Sequence, residues 1–344
     1  MTSTKKVGVS DIAKHAGVSI GTVSNYLNYP ERVSETLKTK IRQSIATLGY
    51  EPRHPAPHLK AQSTAKPLVG YVMTDIEHPL FTRVFEGIQE VCEENDMIVL
   101  GGNALSDSNR QTDLINSFLE IGTTGLLVST VNDSSEDVAT IKASGKPVIL
   151  IDSSGPLNEN SICCVKENNV LAGQLAAEHL LGLNCSHIVF AAHSFEYESI
   201  QERESGIRRA IERSETPCQL SVIDTGGLML EDGYYAAKSL LNLDSDDHPD
   251  GIIAGTDTLA AGILNGILES TALRVPQDIC VIGCEGANIE PVCRMPLSVV
   301  AAPGNDMGRV AMSQLLDEIE NPSIHVHTTT LLNPSLIVRA STER

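Results

Sequence analysis

SDIAKHAGVSIGTVSNYLN, residues 10–28, sets two short amphipathic segments end to end with a single glycine at the corner. Ile12, Ala13 and Ala16 share one helical face, and Gly17 supplies a turn that a residue without a Cβ reaches at little cost. Val18 precedes Ser19, whose hydroxyl suits the N-cap of a second helix in which Val23 and Leu27 face inward. A third helix is announced by VSETLKTKIRQSIATLGY (33–50): Ser34 caps it, Leu37, Ile41, Ile45 and Leu48 recur at helical spacing, and Gly49 stops it. Three short helices around a small apolar cluster describe a helix-turn-helix, with the second helix presenting Ile20, Gly21, Thr22, Ser24 and Asn25 outward. A plain helical bundle has the same pattern, so the motif alone leaves both readings open.

Charge separates them further. Residues 1–66 carry ten Lys and Arg against four Asp and Glu, a net +6, whereas the rest of the chain carries −25. A basic head on an acidic body suits a polyanion-binding module on a carrier that itself avoids polyanions. The 344 residues, 41% of them hydrophobic, are enough for two or three domains with real cores. No apolar run is long enough to span a membrane, and MTSTKKVGVSDIAKHAGVS lacks the apolar core of a secretion signal, so the expected location is cytoplasmic. The eight cysteines sit mostly in apolar segments and read as buried thiols of a reducing compartment. Cys280, Cys284 and Cys293 lack the paired C-x2–4-C halves of a zinc site, and no metal or cofactor is expected.

The run from Val9 to Pro52 resembles the DNA-binding domain of the LacI/GalR family of bacterial transcription regulators. The pieces that carry the resemblance are DIAKHAGVS, TVSNYLN, VSETLK and LGYEP, in register over the whole segment. It implies a DNA-reading head over 1–52, with Ile20, Gly21 and Asn25 at base-contacting positions and Ser19, Thr22, Ser24 and Asn28 at phosphate-contacting ones. Asn25 stands where the family usually has Arg, which moves the preferred partner from guanine to adenine. Gly21 removes one usual reader. Residues 53–66, RHPAPHLKAQSTAK, correspond to the hinge linker, in which Leu59 occupies the place of the family's minor-groove wedge. Pro55 and Pro57 fall where the family's hinge forms a helix, and Pro57 would remove one of its hydrogen bonds.

From residue 67 on, continuous apolar runs alternate with helical patterns. LVGYVM, MIVLGGN, GLLVST and PVILID form one series; HIVFAAH, CQLSVIDTGG, GIIAGTD and ICVIGCEG form another. Such runs predict parallel sheets covered on both faces, hence two doubly wound α/β subdomains. Ligands of such sheets bind beyond the carboxyl ends of the strands. There the sequence places Asp75, Asn103, Ser129, Asp152, His193, Asp257 and Glu285. The family resemblance implies a periplasmic-binding-protein fold and adds Arg203 of ERESG, Asp257 of AGTD, and Asp75, His78 and Phe81 of TDIEHPLF. Carboxylates around one arginine suit a sugar or polyol. The expected lobes are about 67–165 with 300–326, and about 166–299 with 327–344. Thr256, Cys284 with Glu285, and Ala302 depart from the family pattern, which bears on the choice of effector.

The expectation is a homodimeric, effector-controlled regulator of a palindromic operator, in this family most often a repressor. Two alternatives stand beside it: a regulator whose body binds a partner protein, and a solute-binding sensor that does not engage DNA. An enzyme is not expected, because GxxxxGK[ST], GxGxxG after the first strand and GxSxG are all missing, and so is a paired nucleophile and base.

Overall fold

The structure is a computed structural model that describes residues 9–19, 22–23, 26, 33–48, 66–131, 135–153, 162–195, 197–243, 248–270, 273–286 and 292–344. It divides into two units, Met1–Ala65 and Lys66–Arg344. The linker 53–65 lies outside the described residues.

In the first unit, α1 (Val9–Ala16) and α2 (Glu35–Leu48) flank the segment in which Thr22, Val23 and Tyr26 are helical. Ile12, Ala13, Val23 and Ile41 make the buried cluster, with Ala16, Val18, Ile45 and Leu48 packed against it. Gly17 has φ +65, the left-handed turn that glycine reaches without strain. Ser19 Oγ accepts from the Thr22 amide at 3.1 Å, so it caps the helix as its type and place require. The His15 ring reaches the Ser44 hydroxyl at 2.9 Å and ties α1 to α2.

In the second unit, two six-stranded sheets carry the chain. The first has the order β11-β5-β4-β3-β1-β2, with β1 Leu68–Met73, β2 Ile98–Asn103, β3 Gly125–Ser129, β4 Val148–Ile151, β5 Cys163–Glu167 and β11 Thr329–Leu332. The second has the order β12-β10-β9-β8-β6-β7, with β6 His187–Ala192, β7 Gln219–Asp224, β8 Gly251–Ala254, β9 Cys280–Glu285, β10 Ser298–Ala301 and β12 Ser335–Ile337. Among the described residues, every strand pairing is parallel except β10 with β12. The helices are α3 Pro79–Glu94, α4 Ser108–Ile121, α5 Ser135–Ala143, α6 Asn169–Gly182, α7 Glu198–Arg213, α8 Leu230–Leu241, α9 Asp257–Ser270 and α10 Gly304–Glu320. Buried strands with helices over them give each lobe its apolar layers, which explains the continuous apolar runs.

The chain passes between the sheets three times: after β5, after β10, and between β11 and β12. The last crossing falls near residues 333–334, not at 327, because Thr329–Leu332 pairs in parallel with Cys164–Glu167 in the first sheet. Three helix pairs in these layers, α3 with α10, α6 with α7 and α8 with α9, each meet through glycines on both sides. Any Cβ at Gly87, Gly308, Gly173, Gly206, Gly233 or Gly262 would overlap backbone of the opposite helix. None of the described helices is long and apolar enough to cross a membrane.

Candidate functional site

Between the lobes, at the carboxyl ends of both sheets, lies a cleft of roughly 770 Å³. Six of the ten expected effector residues line it: Asp75, His78, Phe81, Asp152, Arg203 and Glu285. His78 is the N-cap of α3, where Pro79 at the first helical position fixes the entry of the chain, and its ring lies 5.1 Å from that of Phe81. Asp152 follows β4 with φ +56, a left-handed conformation that aspartate tolerates better than most residues and that turns its carboxylate in among the cleft's charges. Arg203 projects from α7 and is 4% exposed.

Three ionic links cross from one lobe to the other. Arg203 Nη2 meets Glu167 Oε2, on the last residue of β5, at 3.1 Å. His78 Nε2 meets Glu285 Oε1, on the last residue of β9, at 3.0 Å. Lys166 Nζ meets Glu198 at 3.0 Å and Glu202 at 3.7 Å on α7. Arg203 also donates to the Gly255 carbonyl at 2.7 Å and stands 3.8 Å from Glu285. Around these pairs, Arg203 Nε, His78 Nδ1, Asn169 Oδ1 and Glu167 Oε1 are buried with no hydrogen-bond partner. The first three belong to residues that line the cleft.

Carboxylates outnumber the cations at this centre, and their titration shows it. Burial lifts Glu167 to about 7 against the pull of Arg203, with Asp152 and Glu285 pushing the same way as burial. Burial likewise raises Asp152, opposed by Arg203, His78 and Lys166. For His78 burial disfavours the imidazolium, yet the adjacent Glu285 and the nearby Asp152 carry its pKa above the ordinary value. A raised histidine contributes stability below its unfolded pKa and loses that contribution as pH rises through the folded one. The His78–Glu285 link is therefore stronger at pH 6 than at pH 8. With a third of the His78 side chain exposed, screening leaves an effect of about 0.5–1 kcal/mol. Wild type minus His78→Gln unfolding free energies at the two pH values measure it; an equal difference at both would remove the link.

The other four expected effector residues do different work. Ser129 is buried against the Tyr71 hydroxyl at 3.0 Å. Asn103 Oδ1 accepts from the amides of Ile76 and Leu105, which shapes the loop carrying Asp75. His193 reaches Asp224 across the β6–β7 edge at 2.7 Å. Asp257 is fully buried at the start of α9. None of the four lines the cleft. Sequence reading missed Glu167, Lys166 and Asn169, and also Tyr197 and Thr258, which line the wall. Thr256 accepts from the Leu259 amide at 3.2 Å, so it caps α9.

In the head, Ser19 is exposed and Thr22 half-buried, with their hydroxyls 2.8 Å apart at the start of the second helix. Ile20, Gly21, Ser24, Asn25, Asn28 and Leu59 lie outside the described residues.

Comparison with known proteins matches residues 9–53 to the model of bacterial regulatory proteins of the lacI family, and residues 177–342 to that of a periplasmic binding protein-like domain. The ribose operon repressor of Haemophilus influenzae is 27% identical over 334 residues, covering 97% of this chain and 98% of that protein. Catabolite control protein A of Priestia megaterium is 28% identical over 311 residues, covering 90% and 91%. Among solved structures, a LacI family transcriptional regulator from Enterococcus faecium with bound ribose superposes with a TM-score of 0.69 at 24% identity, over 80% of this chain and 98% of that one.

Proposed function

We propose that this chain, which belongs to the LacI family of bacterial regulatory proteins, is a sequence-specific DNA-binding transcriptional regulator, a repressor, governed by a small polar effector. The observation that carries the effector reading is the set of buried, unpartnered polar atoms in residues that line the cleft: Arg203 Nε, His78 Nδ1 and Asn169 Oδ1. Polar atoms buried without partners are costly, and a ligand rich in hydroxyls would satisfy donor and acceptor together. A sugar or related polyol fits that mixture. Asp75, His78, Phe81, Asp152, Arg203 and Glu285 are the contacts we assign to it.

On the DNA side, residues 1–52 read the operator and 53–66 form the hinge. Asn25 pairs with the adenine edge, Ile20 and Gly21 lie against neighbouring bases, and Ser19, Thr22, Ser24 and Asn28 meet phosphates. Leu59 takes the minor-groove position. One recognition helix reads few base pairs, so tight binding calls for a homodimer on a palindrome. The protein acts in the cytoplasm and catalyses no reaction. The reading with a partner protein in place of a metabolite has no observation in its favour.

Selection of genomic fragments by the full chain, followed by titration of the recovered palindrome with a sugar panel, tests the proposal. Affinity for DNA falls steeply with salt because Lys and Arg of the head displace counterions. Asn25→Ala relaxes preference at one base pair per half-site by about 1–3 kcal/mol, whereas Thr22→Ala weakens all sequences alike. Failure to recover any palindrome, or a uniform loss for Asn25→Ala, counts against it.

A further inference from the structure

The opposite end of the first sheet carries a second cluster of polar side chains, far from the cleft. Cys163 is the first residue of β5, and His325 and His327 stand on the segment that leads from α10 into β11. The two imidazole rings lie 5.0 Å apart, edge to face. Parallel pairing of β11 with β5 then brings both beside the Cys163 sulfur.

We propose that Cys163, His325 and His327 bind a divalent transition metal of the zinc class, with the Glu318 carboxylate as the fourth ligand. Cys163 Sγ lies 3.2 Å from His325 Nε2 and 3.9 Å from His327 Nδ1, and the three ligand atoms lie within 4.8 Å of one another. Tetrahedral coordination with metal–sulfur near 2.3 Å and metal–nitrogen near 2.0–2.1 Å places sulfur and nitrogen about 3.5 Å apart. The two observed separations bracket that value.

The surroundings fit a ligand set as well as the distances do. His325 Nδ1 donates to Asp317 Oδ2 at 2.6 Å, so the ring's lone pair is on Nε2, aimed at the cluster. A carboxylate on the far nitrogen is how metal-binding histidines are held in one tautomer. The Thr328 amide donates to Cys163 Sγ at 3.4 Å, which favours a thiolate. Glu318 Oε2 is buried without a hydrogen-bond partner, 3.9 Å from His325 Nε2. Cys163 is fully buried, whereas His327 is half-exposed and Val326 between the histidines is 73% exposed, which leaves a way in. A thiolate and two imidazoles select zinc-like ions over magnesium or calcium, whose ligands are oxygens. On binding, Cys163 gives its thiol proton to solvent and the sulfur donates its pair to the metal.

Such a metal clamps the start of β11 to the start of β5. Cys163 and Glu167 are the two ends of one strand about 13 Å long, so the clamp and the Arg203 link hold the same strand at opposite ends.

The test uses the full chain, stripped with a chelator and titrated with Zn²⁺ against a chromophoric competitor, and separately with Co²⁺. One equivalent of Zn²⁺ is expected to bind and raise the thermal midpoint. Co²⁺ should give a thiolate-to-metal charge-transfer band with the intense visible bands of a tetrahedral site. His327→Gln weakens binding about 100-fold, and Asp317→Asn about 10-fold. Cys163→Ala removes the charge-transfer band; should that buried change unfold the chain, His327→Gln still decides, because its side chain is half-exposed. No stoichiometric binding to the wild type, or binding unchanged in His327→Gln, overturns the proposal.

Discussion

Arg203→Ala destabilises the body by about 3–5 kcal/mol at pH 8, the cost of breaking a buried ion pair from one side. Arg203 is 4% exposed and Glu167 is 1% exposed, so the carboxylate left behind has no water to turn to. Its remedy is a proton. Glu167 sits at about 7 even with Arg203 in place, because burial and two neighbouring carboxylates oppose its charge. A carboxylate raised in the folded state contributes stability below its unfolded pKa, near 4.5, and loses it as pH rises to the folded one. Without Arg203 the folded value rises further, so the deficit of the variant shrinks on going from pH 8 to pH 6. Urea unfolding at the two pH values measures it, and a loss below about 1 kcal/mol at pH 8, or one that grows toward pH 6, would mean that the pair is not the strut described. Effector binding should disappear in the same variant, while the head, a separate unit, still binds DNA non-specifically.

Gly173→Ala comes next in size, at about 3 kcal/mol. The residue lies on the inner face of α6, where a Cβ would overlap the carbonyl oxygen of Arg203 on α7. Gly206 makes the reciprocal contact with the Val170 carbonyl. Alanine is the better helix former by about 1 kcal/mol, but two backbones in contact have no rotamer to yield, so the helices must part. That movement carries the Arg203 side chain with it, and effector affinity should fall together with stability. Gly182, at the end of the same helix, is the internal control: nothing lies within 4 Å of a Cβ there, so Gly182→Ala should be neutral or mildly stabilising. Loss at Gly182 equal to that at Gly173 would place the effect in α6 itself and not in the crossing.

Local pattern was enough for much of this molecule. In the head, Gly17 and Ser19 act within a few residues of where they stand, and Ile12, Val23 and Ile41 sit on helical faces that the period marks, so turn, cap and core were legible. In the body, the apolar runs fixed eight of the strands, and the residues closing them included Asp152 and Glu285 of the cleft. Arg203, His78 and Phe81 came from a family pattern that is itself local in sequence.

What stayed hidden depends on which strands become neighbours. Cys163–Glu167 is short, with Lys166 and Glu167 in it, and it does not read as a buried strand; yet β4 and β11 cover both its edges and all five residues are buried. From that placement follow the Glu167–Arg203 link and the meeting of Cys163 with His325 and His327. Asn103, Ser129, His193 and Asp257 show the converse. Each closes a strand or opens a helix, as the sequence says, but packing turns Ser129 to Tyr71, Asn103 to loop amides and His193 to Asp224, and buries Asp257, instead of facing them into the cleft. Periodicity and caps are short-range properties that a sequence carries in itself. Which side chains meet across the lobes is decided by crossovers joining residues far apart in the chain, and only tertiary packing sets it.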